Sequence, residues 1–497
     1  MKKLIVLLLA LCMVFAVAVP AFAAEDDVVT IGWTYSPEDF EPAFSNNSIG
    51  LDNVYEGLFI INTDTGEVEN LLAESYEWLD DTTLEIHLNP AAKFSNGDPV
   101  TPEDVLWSMQ YYIESGSNLS TYYTNYDYDN CEIVDDTTFI LKYFEPYGPA
   151  INYLTLMKVQ NKSYYEEFGE DAYWDSPCGT GPYEVVENVS GSHTTYRLRE
   201  DYWNNDMMPE VKEFVVKSYP EKSTMYIDFE NGDLDIAWNI DDSDAQRAMD
   251  SGYNVIIQSD LDVKMFNMAS FKEEFQNPLV REAIACAVEW DLVGESAFGI
   301  LCSPATSTLP TGCDYKIDTE PYTYDPDHAR ELLEEAGYGD GFDIYFVLVN
   351  DVTNQRMAEA IQFYLAEVGI NFTFDLFDIP TAIPMFMSGQ TDGILKTAQG
   401  GAFCLEPDQI YDTLKASSTN ISCAVQDEEF DGYLMDGLFS VDPAVREECY
   451  NNAQTWLRDN YWAIPICESA AAYVCADGVT LNAVSMLNPM LRFVHLA

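Results

Sequence analysis

The chain has 497 residues, 85 acidic against 23 basic, for a formal net charge of −62. Nucleic acid and anionic lipid are thereby excluded as natural partners, because phosphate contacts need Lys and Arg. Hydrophobic residues make up 47%, so the chain can bury cores, and acids spread over its whole length read as a solvated surface.

Lys2 and Lys3 precede an apolar run from Leu4 to Val19, and Ala21-Phe22-Ala23 supplies a small-x-small cleavage site. The pattern predicts export, with residues 1–23 as signal peptide. No small residue precedes Cys12 and the apolar run continues past it, so release after Ala23 is expected rather than a lipid anchor. What remains is too long for one core and suits two or three lobes.

Val28 to Trp33 alternates as a strand, and Tyr55-Glu56-Gly57-Leu58 follows a turn-rich stretch. Thr83 to Leu88 alternates after the Asp80-Asp81 turn. Asn96-Gly97-Asp98 is a tight turn, and Thr101 with Asp104 frames a capping box opening a helix through Met109. Gly179-Thr180-Gly181-Pro182-Tyr183 is no phosphate loop: no Lys-Ser or Lys-Thr follows, and Pro182 forbids the helix start that would hold phosphate. It leads into a strand from Tyr183 to Asn188. Met225 to Ile240 reads as a short helix, a turn at Asn231-Gly232-Asp233 and a buried strand.

Asn277 and Pro278 open a helix whose apolar face is Val280, Ala283, Ile284, Ala287 and Val288. In Tyr324 to Tyr338, Asp325 caps, Pro326 takes the first helical position and Gly337 follows the end. Ala329, Leu332, Leu333 and Ala336 form one apolar face. A helix from Gln355 to Val368 ends at Gly369, and Ile370 to Phe377 alternates as a strand. Helix–strand alternation predicts an α/β lobe.

Catalytic signatures are missing from the text: no Gly-x-Ser-x-Gly, HExxH, Walker A or Gly-x-Gly-x-x-Gly after a strand. With 85 acids, accidental carboxylate pairs say nothing about glycosidase chemistry. No CxxC occurs, and His87, His193, His328 and His495 stand far apart, so neither a metal site nor a cofactor is expected. Of 11 cysteines, ten lie beyond the leader. The Pro- and Gly-containing loop between Cys302 and Cys313 lets its ends meet, which predicts a disulfide there; two free thiols are the alternative.

The YEGL element, the Lys93 to Val105 run, the GTGPY turn, Met225–Ile240, Asn277–Ile284 and Tyr324–Tyr338 resemble, in the same order, the extracytoplasmic solute-binding proteins of peptide- and nickel-type ABC importers. The resemblance implies a two-lobed periplasmic-binding-protein-like α/β fold of the class II type with an extra subdomain. It implies a first lobe over 24–262 with the subdomain at about 61–178, a second lobe over 263–469, and a C-terminal return over 470–497. Hinge crossings fall near Val263–Asn267 and Pro465–Ala470.

The function implied is capture of a small peptide or similar polar solute by a monomer, and its delivery to membrane permease subunits of an ABC importer. Oligosaccharide or chelated nickel, a sensing role, or a secreted hydrolase on the same fold are the rival readings. The ligand-binding residues carried over are Tyr35, Trp238, Asn239, Asn267, Gln399, Gly400, Phe403 and Glu406. Peptide binders of the family carry Trp and Asp before an Asp-Pro pair, the acid receiving the peptide's α-amino group. Here Glu406-Pro407 stands for Asp-Pro, while Ala398, Gly400 and Gly401 supply neither Trp nor Asp. Trp290 likewise departs from an acidic-basic pair near Glu289.

Overall fold

Local signals set most of the elements. In the computed structural model, which describes residues 28–34, 39–44, 48–62, 66–397, 405–418, 424–481 and 491–496, the helix Pro326–Ala336 begins with the Asp325 side chain accepting from the His328 N–H. It ends at Gly337 with φ 88°. Thr101 and Asp104 form the expected capping box, and their helix continues past Met109 to Ser115, where Gly116 turns left-handed. Asn277 caps Pro278–Ala287. Asp351 caps Val352–Glu367, which therefore starts before Gln355.

One nine-stranded sheet runs through both halves of the molecule. Its order is Gly393–Thr397, Asn254–Met268, Ala463–Cys475, Ile236–Ile240, Val28–Trp33, Glu213–Ser218, His193–Leu198 and Tyr183–Val189, with Cys302–Pro304 added beside Ala463–Cys475. A separate antiparallel sheet joins Ala73–Asp80, Thr83–Leu88, Thr138–Lys142 and Glu132–Ile133. Phe342–Val349 and Ile370–Phe377 pair in parallel across the helix Val352–Glu367. Only the first of those two strands is missing from the sequence reading; its run FDIYFVLV is apolar enough to hide the period of two.

Buried apolar residues divide into two large cores, hence two lobes of mixed α/β structure. One core joins Val29, Ile31, Tyr55, Phe139 and Phe214 to Tyr473 and Val494 from the chain's end. The other lies within residues 263–467. Chain passes between the lobes along Asn254–Met268 and Ala463–Cys475, which pair antiparallel from Asn254↔Cys475 to Asn267↔Ala463. Register shifts fall between Ser259 and Asp262 and between Lys264 and Met265, and Leu261 has φ 51°. Bulges bend a strand pair locally, and these lie where the strands pass between the lobes.

Several motif residues hold this scaffold together. Glu56 of the YEGL element is buried and accepts from the Tyr202 hydroxyl at 2.6 Å and the Trp203 indole at 2.9 Å. Arg492, near the chain's end, lies 3.6 Å from the same carboxylate. A Cβ on Gly179 would sit 1.9 Å from the Val54 carbonyl oxygen, which explains the first glycine of GTGPY. Arg281 donates to the Asn460 and Phe275 carbonyls at 2.7 Å and stacks 4.1 Å from the Trp462 ring. Burial lowers its pKa to about 10. Among the described residues no helix is long and apolar enough to cross a membrane.

Candidate functional site

Besides the crossing strands, the lobes touch through residues 148–153. The Gly148 N–H donates to the Leu438 carbonyl at 2.9 Å, and Arg446 Nη1 donates back to the Gly148 carbonyl at 3.3 Å. A Cβ on Gly148 would lie 2.4 Å from Arg446 Nε and 2.5 Å from the Ser440 carbonyl oxygen. Glycine therefore permits this approach of one lobe to the other. Asn152 donates to Asp314 at 3.3 Å, and the Tyr153 hydroxyl donates to Asp408 at 3.0 Å.

The second-lobe wall facing this segment is assembled from three separate stretches. The Asp314 N–H and the Cys313 thiol both donate to the Leu405 carbonyl, at 3.0 and 3.2 Å. Tyr315 and Leu405 hold left-handed backbone, φ 59° and 60°. Such conformations are costly for side-chain-bearing residues and gather at ligand loops. Burial raises the pKa of Asp314 and of Asp408; the Asn152 hydrogen bond partly offsets it at Asp314, and the Lys415 charge with the Tyr153 hydrogen bond does so at Asp408.

Glu406 has no solvent exposure, and both its oxygens face the Arg446 guanidinium, one contact being 3.4 Å. Arg446 comes from the helix Pro443–Asn460 and lies over the rings of Tyr315 and Tyr450, at 5.2 and 5.6 Å. Burial pushes Glu406 up to about 7, against the pull of Arg446. Burial also opposes the Arg446 charge, but Glu406 outweighs it and raises that pKa. A neutral Glu406 would strand a buried cation, so the two titrate as a unit.

The structure draws only part of the sequence-predicted site into this wall. Glu406 is there, already engaged by Arg446. Asn267 is fully buried on the crossing strand with neither amide atom bonded; Gln409, beside Asp408, is in the same condition. Such atoms are expensive unless a ligand or water meets them. Asn239 has φ 53° and accepts from Lys222 Nζ at 3.4 Å. Trp238 is buried in the first-lobe core between Trp33, 5.7 Å away, and Tyr473, 4.5 Å away. Tyr35, Gln399, Gly400 and Phe403 lie outside the described residues.

Sequence reasoning missed Asp314, Asp408, Gln409, Arg446, Asn152 and Tyr153. Only Asp408 carried a signal, by following Glu406-Pro407. A cavity of about 170 Å³ lies in the second lobe among Glu289, Trp290, Tyr322, Gln454 and Arg458, and none of the lobe-bridging residues lines it.

The expected Cys302–Cys313 bridge is not formed; both thiols are free. Cys313 is held at the Leu405 carbonyl. Cys302 is held instead in the short strand Cys302–Pro304, which pairs with Cys467–Ser469.

Residues 67–419 match the family described as bacterial extracellular solute-binding proteins, family 5. The chain belongs to that family. It is 27% identical over 453 residues to the glutathione-binding protein GsiB of Salmonella paratyphi A, covering 88% of each chain. The same named protein of Escherichia coli O157:H7 is 27% identical over 451 residues, covering 87% of each. Among solved structures, NikA from Brucella suis in complex with Fe(III)-EDTA superposes with TM-score 0.83 at 22% identity, over 95% of this chain and 100% of that one. DppA from Helicobacter pylori in complex with the peptide STSA gives 0.77 at 20% identity, over 94% and 98%. At such identities the solved structures establish the two-lobed fold. The family is one of binding proteins.

Proposed function

We propose that this chain is the extracytoplasmic solute-binding subunit of an ABC importer, working as a monomer that captures a small peptide between its lobes and presents it to the membrane permease. It acts without altering the solute. Export by the leader at residues 1–23 places it outside the cytoplasmic membrane. The working lobes are taken as 24–262, with its subdomain at about 61–178, and 263–469, with 470–497 returning to the first.

The observation that carries a peptide over the other ligand classes is the charge of the wall. Asp314 and Asp408 face the first lobe; of the cations beside them, Arg446 is committed to Glu406 and Lys415 is paired with Asp412. A solute with a free ammonium group matches those carboxylates. An anionic metal chelate of the kind held by the NikA neighbour meets like charge there. Glutathione, the ligand named for the curated relatives, is a peptide with an α-ammonium group and belongs in the same class. The departure at Ala398–Glu406 argues that the peptide's amine is received by Asp314 or Asp408 rather than by the position the family uses.

Closure is the mechanism: a ligand that touches both lobes binds the closed form better and shifts the population toward it. Thermal unfolding with di- to pentapeptides, glutathione, oligosaccharides and nickel complexes tests the reading. Peptide at about a hundredfold over its Kd should add about 2.7 kcal/mol. Stabilisation by oligosaccharide or chelate alone would assign the cleft to that class instead.

A further inference from the structure

The crossing region contains two thiols that the solute-binding reading does not use. Cys302 lies on the short strand Cys302–Pro304, and Cys467 on the strand that crosses between the lobes. The register pairs Cys302 with Ser469 and Pro304 with Cys467. Cys302 and Cys467 are thus diagonal neighbours pointing to the same face of the sheet. The helix Trp290–Phe298 packs on that face through Gly294. A Cβ there would lie 2.9 Å from the Cys302 sulfur and 2.9 Å from the Cys467 sulfur. Both sulfurs therefore crowd one point under a residue without a side chain.

We propose that Cys302 and Cys467 are an oxidisable pair that closes to a disulfide, tying the edge strand to the crossing strand beside the hinge. The two thiols differ in the way stepwise exchange requires. Cys302 is partly exposed and Cys467 is fully buried. The interaction with Cys467 lowers the Cys302 pKa, against burial and the nearby Asp291 and Glu295 carboxylates. The same contact, with burial, raises that of Cys467.

The Cys302 thiolate attacks a small disulfide RSSR, forming a Cys302–SR mixed disulfide and releasing RS⁻. Cys467 gives up its proton and its sulfur attacks the Cys302 sulfur, breaking the bond to SR. The products are the internal disulfide and two RSH, so the two electrons leave with the reagent. Cys467 pairs through its backbone with Lys264, whose ammonium is 2.5 Å from Asp262. The bridge consequently anchors the second-lobe end of the crossing strands.

The test needs no solute and is independent of the peptide reading. Reduced full-length protein is incubated with oxidised glutathione, denatured without reductant, alkylated and digested under non-reducing conditions. The expected result is a Cys302–Cys467 linked peptide, with both cysteines lost from the alkylated pool. C313S should leave the link intact, whereas C302S should abolish it and leave Cys467 alkylated. Alkylation of both Cys302 and Cys467 in the oxidised wild-type protein, or a link from Cys302 to any other cysteine, overturns the proposal.

Discussion

Gly148 of the first lobe and Arg446 of the second are in backbone-to-guanidinium contact, with Arg446 Nη1 3.3 Å from the Gly148 carbonyl. The missing side chain at 148 is what leaves room for it. G148A inserts a methyl group 2.4 Å from Arg446 Nε and 2.5 Å from the Ser440 oxygen, outside both lobe cores. Overpacking of this kind costs about 1–3 kcal/mol, and here the cost falls on the contact between the lobes. Solute affinity should drop on the order of tenfold while each lobe unfolds as in the wild type. Small-angle scattering at saturating solute should show a larger radius of gyration for G148A than for the wild type. Equal radii and equal affinity contradict the role assigned to this contact.

Glu406 and Arg446 should be far more sensitive to removal of one partner than of both. R446A leaves a buried carboxylate unpaired and is expected to cost about 3–5 kcal/mol in urea unfolding. E406Q keeps the shape but strands the buried Arg446 cation, so its cost should be of the same order, softened only by the hydrogen bond its amide oxygen still accepts. The double variant E406L/R446M should recover much of the loss. A mild effect of R446A, comparable to an exposed ion pair, would place the pair in water.

Asp260 predicts a pH dependence with a definite sign. Burial raises its pKa to about 6, with Asp262 adding to the effect while Lys264 and the Ser469 hydroxyl oppose it. The folded state therefore holds this proton more tightly than the unfolded chain. Its stabilising contribution is complete below about pH 4 and is lost as pH rises to about 6. D260N removes the titration. Relative to wild type, D260N should gain about 2 kcal/mol between pH 4 and pH 7, after allowance for partial exposure of the site. A constant difference across that range contradicts it.

The scaffold role of Glu56 separates stability from binding. E56Q weakens the acceptor shared by Tyr202 and Trp203 and unpairs Arg492. Loss of hydrogen bonds to a buried charge should cost about 2–3 kcal/mol, read as a lower urea midpoint. Solute affinity of the folded fraction should be unchanged, and a selective loss of affinity would instead move Glu56 into the ligand site.

What the sequence makes legible follows from how local each signal is. The helix Pro326–Ala336 carries its cap, its first proline and its terminal glycine within a single stretch. The capping box at Thr101 is equally self-contained. Glu56, by contrast, finds Tyr202, Trp203 and Arg492 only after the chain has folded. Arg446 looks like one more charge on an amphipathic helix, and nothing near it in sequence announces Glu406. Cys302 fails for the same reason: loop length favoured Cys313, but strand pairing delivers Cys467. Trp238, chosen by position in the family pattern, is locked between Trp33 and Tyr473 in the first-lobe core. The polar wall at Asp314 and Asp408 is a product of three separated stretches, and no periodicity encodes their meeting.

The central claim is that the cleft holds a peptide and releases it unchanged. Native mass spectrometry of the full-length protein titrated with di- to pentapeptides and glutathione tests it most directly, with the released solute weighed after denaturation. The account predicts a one-to-one adduct with at least one peptide, recovery of that peptide at its original mass, and loss of the adduct in an Asp314→Asn, Asp408→Asn double variant that still folds. Appearance of cleavage products, or adducts with oligosaccharides or metal chelates but no peptide, would contradict it.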